Sequence, residues 1–259
     1  GAGEASSRLV VGVAGVRVPG VHYLTGEVLA GAGVTEPARG AGAVAAWDLA
    51  HSIGNVPVAL HDAGADFAVW CSYKYLNAGP GAIGGCFVHR RWHEIDVPRL
   101  AGWWGHDPAT RFALNDAISP MRGAQAWQLS NPPILAMAPL AASLAIFEDA
   151  TLKALRKKSV RITGYLEALI EHELGERVKV LTPRAANARG AQLSIRVNVE
   201  PERLDGVRRA LRAAGVVVDW RGDDVLRVAP APLYNRYRDV HAAVQALRRG
   251  ELKIEPDNT

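Results

Sequence analysis

Apolar residues fall in short runs through the first half of the chain and at helical spacing through the second. Ala43-Val44-Ala45-Ala46-Trp47 lies between Gly42 and Asp48, the pattern of a strand buried on both faces. Phe67–Cys71 and Ala82–His89 are similar runs, and the valine-rich stretch Arg8–Val18 reads as one or two more buried strands. Between them, Thr35–Gly40 predicts a short helix, with Thr35 as its cap, Glu36 at its positive end and Pro37 in its first turn. Short apolar strands separated by loops and a helix predict an α/β architecture with a mainly parallel sheet.

The period changes after Pro132-Pro133. Ile134 to about Glu148 has apolar residues at helical spacing, and Thr151 to about Glu173 carries Leu152, Leu155, Val160, Ile162, Leu166, Leu169 and Ile170 roughly on one stripe. Strands follow at Val178–Leu181 and Ala191–Val199. Pro201–Ala214 is a helix stopped by Gly215. Val216–Trp220 and Val225–Ala229 read as strands joined by the turn Gly222-Asp223-Asp224, and Asp239–Arg249 is a final helix. This second half is an α+β layer. The expected division is a partial large domain over 1–133 and a small domain over 134–259 that includes the long connecting helix.

Composition excludes several classes. The chain has 259 residues, 49% hydrophobic and 22% charged, enough apolar material for a core. Net charge is +4, with the basic residues scattered; the densest run, Lys153–Lys158, reads as a solvated helix face rather than a nucleic-acid patch. The two cysteines, Cys71 and Cys86, form no CxxC pair, and the histidines show no metal-ligand spacing. They read as buried reduced thiols of a cytoplasmic protein. No apolar run is long enough to span a bilayer. The N-terminus, Gly1–Ser7, has no signal-peptide pattern and no initiating Met, so the chain is expected to start inside a longer protein.

Two strand ends carry candidate chemistry. Asp48 ends one buried run, where ligands bind in open α/β sheets. A carboxylate there needs a cation, or it serves as a loop cap. His51 follows three residues on. After the next run come Ser72-Tyr73-Lys74-Tyr75-Leu76-Asn77-Ala78-Gly79-Pro80-Gly81. A lysine just beyond a buried strand suits Schiff-base chemistry; the alternative is an exposed lysine in a glycine-rich turn. The glycines match neither GxGxxG nor the P-loop.

Together these segments resemble kynureninase, a fold-type I, class V aminotransferase-like enzyme that uses pyridoxal 5'-phosphate (PLP). The resemblance is carried by WDLAHSIGNVPVALHDAGADFAVWCSYKYLNAGPGAIGGCFVH at 47–89, GWWGH at 102–106, WQLSNPPILAM at 127–137, TLKALRKKSVRITGYLEALI at 151–170 and LRVAPAPLYN at 226–235. It implies that Lys74 holds PLP as a Schiff base and later moves the substrate Cα proton. It implies that Asp48 pairs with the pyridinium nitrogen and that His51 lies by the ring or phosphate. Tyr73 would bond the phosphate and pass a proton to the substrate. Trp103 and Asn131 match positions that approach cofactor and substrate from the partner of a homodimer, although packing and helix capping would also explain them. Arg227 matches the arginine that holds the substrate α-carboxylate, a task suited to a guanidinium fork. His106 receives no role, and Pro19 stands where some members have Ser near the phosphate.

The implied reaction is hydrolysis of L-kynurenine or 3-hydroxy-L-kynurenine to anthranilate or 3-hydroxyanthranilate and L-alanine. That places the chain in tryptophan catabolism and the kynurenine pathway toward NAD biosynthesis, with a small-molecule substrate and no nucleic-acid, membrane or metal partner. The family is longer at its N-terminus, so segments supplying a ring-stacking aromatic and a phosphate-binding Thr are expected to be missing, with several strands. Two alternatives stand beside this reading. One is another class V enzyme such as a cysteine desulfurase, against which counts the lack of any cysteine after Cys86. The other is a catalytically dead truncated subunit.

Overall fold

The computed structural model describes residues 14–29, 31–95, 97–113 and 116–250. The expected strand residues Arg8–Val13 and the N-terminal Gly1–Ser7 lie outside the described residues. The chain forms two compact units. One comprises the chain up to Gly20, Ala30–Gly54 and Val58–Phe147; the other comprises Val21–Leu29, Asn55–Pro57 and the chain from Glu148. This division and the one proposed from the sequence, at 133/134, fall near the two ends of one helix.

The first unit is built on a four-stranded sheet of β1 (Gly15–Pro19), β2 (Val44–Asp48), β3 (Phe67–Cys71) and β4 (Gly84–Val88), in that order. β1, β2 and β3 are parallel, and β4 returns antiparallel to β3. Helix α1 (Ala32–Gly40) sits between β1 and β2 in the chain and buries Ala38 against Ala43 and Ala45. It starts three residues before the position expected from Thr35. Thr35 is a buried interior residue whose Oγ1 accepts from the Trp47 indole N–H at 3.3 Å, so its hydroxyl serves packing rather than capping.

β2 is not buried on both faces. Ala45 and Trp47 point inward, while Val44, Ala46 and Asp48 are half-buried. Trp47, Leu49, Ala65 and Ala68 form the core of the covered face, backed by Trp70 and Phe87. On the other face Val69 and Cys86 are exposed and Cys71 is half-buried, so the expectation of two buried thiols fails: the aromatic cover on that face, Trp92 and Trp127, packs on Phe67 at the start of β3. β1 is likewise only partly buried, as a sheet edge. Helix α2 (Ile134–Ala150) is apolar almost all round, yet Leu135 is 90% exposed and Ile134, Leu144 and Ile146 face outward. Its buried residue, Ser143, donates its hydroxyl to the Leu76 carbonyl.

The second unit closes on itself. Helix α3 (Leu152–Leu174) is capped by Thr151, whose Oγ1 accepts from the Ala154 N–H at 3.3 Å. Of its expected stripe, Leu155, Ile162, Leu166 and Ile170 are buried, whereas Leu152, Val160 and Leu169 are half-buried; Leu174 extends the buried line. An antiparallel sheet runs β5 (Val178–Val180), β6 (Leu193–Val197), β8 (Val225–Val228), β7 (Asp219–Arg221). Helices α4 (Pro201–Ala213) and α5 (Tyr237–Arg249) join α3 over one apolar cluster with Ile195, Leu226, Val207 and Val244 at its centre. The strand expected at Val216–Trp220 starts late. The Val216 N–H bonds back to the Leu211 carbonyl at 2.9 Å, and Val217 is 97% exposed, so pairing begins at Asp219. Gly222, at φ +60°, makes the tight turn to β8.

Candidate active site

In the first unit, β2 and β3 run side by side and end on the same edge of the sheet. Backbone bonds clamp the end of β2 on both sides: the Gly20 N–H donates to the Asp48 carbonyl and the Leu49 N–H to the Val69 carbonyl, each at 2.9 Å. The Asp48 side chain therefore projects from a fixed point. Its Oδ1 accepts from the Ala50 N–H at 3.0 Å, and its Oδ2 lies 3.6 Å from Arg17 of β1. In parallel neighbours, paired residues share a face, and the pairing of Pro19 with Asp48 puts Arg17 on that same face. Both side chains are substantially solvated, so the ion pair itself is worth little, and Oδ2 remains open to a competing cation.

The loop after β3 is held just as firmly. Ser72 donates its hydroxyl to the Ile83 carbonyl at 2.5 Å. The Ala78 N–H returns to the Ser72 carbonyl at 3.1 Å, and the Asn77 N–H to the Lys74 carbonyl at 3.0 Å. Asn77 takes a left-handed φ of 55°, which asparagine tolerates better than most residues. Gly54, at φ +78°, lets the loop from β2 lie against this one, since a Cβ there would stand 2.9 Å from the Tyr75 carbonyl. The close approach brings Lys74 Nζ to 3.1 Å from His51 Nε2, with the His51 ring edge-on to Tyr75. One nitrogen of that contact must donate and the other accept. With Lys74 as the donor, His51 is neutral and carries its proton on Nδ1.

Tyr73 is 52% exposed, and Lys74 Nζ stands 5.8 Å from its ring centre. The neighbouring Cys71, by its electrostatic effect first and then by a hydrogen bond, pushes the Tyr73 hydroxyl up from the usual phenol value. Tyr73 thus keeps its proton at neutral pH and can donate it. Cys71 also approaches the other loop, with Sγ 3.9 Å from the Ala50 carbonyl. Ser52, in the loop after Asp48, has a buried hydroxyl with no hydrogen-bond partner among the described residues.

The other residues singled out from the sequence lie elsewhere. Trp103 is 60% exposed and packs edge-on against Phe112. Asn131 is exposed. Their segments are neighbours, because the Gly102 backbone lies so close to Leu129 that a Cβ would stand 2.5 Å from its Cα. Arg227 belongs to the second unit, on β8. Its side chain is only 10% exposed; Nε donates to Asp219 Oδ2 at 2.6 Å, Nη2 donates to the same oxygen, and Nη1 donates to the Tyr23 carbonyl at 2.7 Å. Asp219 occupies the Nε–Nη2 edge of the guanidinium fork and the Tyr23 carbonyl engages Nη1.

Sequence reasoning missed Arg17, Cys71 and Asp219. For Asp219 a signal existed: it faces Arg227 directly across the β7–β8 hairpin, and opposite charges favour that register.

The family profile described as the kynureninase C-terminal domain matches residues 155–247. A kynureninase of Xanthomonas euvesicatoria is 52% identical over 227 residues, covering 88% of this chain and 54% of its own length. One from Xanthomonas oryzae is 52% identical over 226 residues, covering 87% of this chain and 53% of its own. Among solved structures, a cysteine desulfurase from Thermococcus onnurineus superposes with a TM-score of 0.77 at 18% identity, covering 95% of this chain and 62% of that one. The cystine C–S lyase C-DES superposes with a TM-score of 0.78 at 17% identity, covering 96% and 64%. At such identities these neighbours show the fold alone, that of the PLP-dependent class V aminotransferase-like proteins, whereas the similarity in sequence is to kynureninases. The chain belongs to the kynureninase family, and it spans about half the length of the curated relatives it matches.

Proposed function

We propose that this chain is the part of a PLP-dependent kynureninase that carries the cofactor lysine and the small domain. The protein it represents hydrolyses L-kynurenine or 3-hydroxy-L-kynurenine to the anthranilate and L-alanine. The observation that carries the reading is the 52% identity to curated kynureninases over most of the chain. The residues at the strand ends fit the cofactor. Asp48 Oδ2 already faces a cation and is placed to meet a protonated ring nitrogen, Lys74 offers a primary amine, and the unpartnered Ser52 hydroxyl is a donor awaiting an acceptor.

PLP, when bound, supplies a carbonyl that amines capture and a ring that takes up the electron pair released at the reacting carbon. Lys74 is the amine for that carbonyl and the base for the substrate α-proton. His51 Nε2, 3.1 Å away, orients it and takes up a proton from it, leaving the amine its lone pair. Tyr73 is the proton donor to the substrate. Arg227 receives the substrate α-carboxylate, with Asp219 and the Tyr23 carbonyl fixing the plane of the fork. Exposed Trp103 and Asn131 serve the site of the partner subunit in a homodimer, and the enzyme acts in the cytoplasm in tryptophan catabolism toward NAD biosynthesis. The division of labour follows the sequence, with cofactor residues in 1–133 and the substrate arginine in 134–259.

Anthranilate fluorescence and alanine release from kynurenine, in the presence of PLP, test the proposal. Equimolar products that vanish in Lys74→Ala are expected. Absence of turnover with either kynurenine, or turnover unchanged in Lys74→Ala, overturns it.

A further inference from the structure

At the opposite end of the first unit's sheet, where β2 and β3 begin, lies a polar cavity of about 710 Å³. A five-residue strand at about 3.3 Å per residue puts roughly 15 Å between this end and the Asp48 end. Separate segments bring basic side chains here: Arg39 from the last turn of α1, His61 from the loop before β3, and Arg90, Arg91 and His93 from the stretch after β4.

The floor of the cavity is a closed network. Buried Asp66 accepts from Arg91 Nε at 2.7 Å, from the Trp92 indole at 2.6 Å and from the Ala45 N–H at 2.8 Å. Arg91 also donates to the Gly64 carbonyl at 2.7 Å, so its charge is spent. Burial works to raise the Asp66 carboxyl, but the hydrogen bonds and the Arg91 charge outweigh it and hold it below the usual range. His89 is buried and accepts from the Arg91 N–H at 3.1 Å; burial first, then Arg91 and His61, keep its ring neutral. The His61 ring stacks on it at 4.6 Å, with planes 11° apart.

The acids at the rim are already engaged. Asp62 lies 3.3 Å from His61, and Glu94 lies 3.2 Å from Arg122. His93 bonds the Val88 carbonyl at 3.2 Å. Among the described residues, neither Arg39 nor Arg90 has a carboxylate within ion-pair distance. Arg39 and Arg90, both exposed, line one cavity without an ion pair to the Asp62 and Glu94 carboxylates at its rim, and an anion between the two guanidinium groups offsets their mutual repulsion. Guanidinium forks favour planar or tetrahedral oxyanions, which they hold by two donors each.

We propose that this cavity binds a small oxyanion of two or more charges, held by Arg39 and Arg90 beside the His61–His89 stack. The site is distinct from the cofactor end and stands whether or not the chain acts on kynurenine. The test is calorimetric titration of the full chain, in a buffer free of phosphate, with inorganic phosphate in one arm and citrate in the other. Saturable binding of at least one is expected, weakened about tenfold or more by Arg39→Ala and Arg90→Ala. Arg90→Lys is expected to lose part of it, while Lys74→Ala, at the other end of the sheet, leaves it unchanged. Thermal unfolding of each variant confirms that Asp66 and Arg91 still hold the floor. No saturable binding in either arm, equal binding in the Arg39→Ala/Arg90→Ala double variant, or loss of binding in Lys74→Ala overturns the proposal.

Discussion

The two units of this chain solve the burial problem in different ways. The second packs three helices over an antiparallel sheet and encloses a continuous core, from Ile162 and Leu166 through Ile195 and Leu226 to Val244. The first has its polar ends firmly tied, yet its apolar residues form small clusters, and Val69, Leu135 and Ile146 stand in solvent. Buried apolar area is the main source of stability, so the second unit is the stable body. In the first unit, order comes from hydrogen bonds and ion pairs at the two ends of the sheet. Lys74 and Asp48 sit at one end and the Asp66 network at the other.

That contrast breaks most sharply at Asp66. Removing one partner of a buried pair costs about 4 kcal/mol, so Asp66→Asn is expected to unfold the first unit while the second persists. Hydrogen exchange, read unit by unit, checks this; uniform loss of protection contradicts the contrast. The next largest effect lies in the second unit. Leu226→Ala should cost about 3 kcal/mol in denaturant unfolding, whereas Leu135→Ala on exposed α2 should cost less than about 0.5 kcal/mol.

Asp219→Asn tests the substrate end. It is expected to raise KM for kynurenine about tenfold with kcat little changed, because the Arg227 fork loses its orienting charge, and Asp219→Glu should restore part of the affinity. A fall in kcat alone would point to a general structural fault instead. The smallest effect is in pH. The Asp66 carboxyl is held low in the folded state, so its contribution is full above about pH 4, the unfolded value, and fades as pH falls through the lower folded value. Acid should therefore melt the first unit before the second, which hydrogen exchange followed unit by unit as pH falls would show.

Much of this was legible in the sequence because strand ends and helix stripes have short-range causes. Apolar runs located β2 and β3, and so placed Asp48 and Lys74 on neighbouring ends of one sheet. The buried Leu155, Ile162, Leu166 and Ile170 of α3 followed from their spacing. What escaped depends on pairing between distant segments. The sequence of Thr35 does not reveal that the Trp47 indole takes up its hydroxyl, nor does that of Asp48 reveal Arg17 on the adjacent strand. An apolar run likewise cannot say whether both faces are covered, which is why β2 and the two cysteines are less buried than the pattern predicts. The late start of β7 has the same origin, since a backbone bond from Val216 to Leu211 outweighed the β-propensity of three valines.

The identity of the cofactor lysine is open to one direct measurement. The chain is incubated with PLP, reduced with borohydride and digested, and the pyridoxyl label is mapped by peptide mass. Label confined to Lys74 is the expected result, lost in Lys74→Ala. Label on Lys153, Lys157, Lys158 or Lys179, or none at all, would contradict the placement of the cofactor between the ends of β2 and β3.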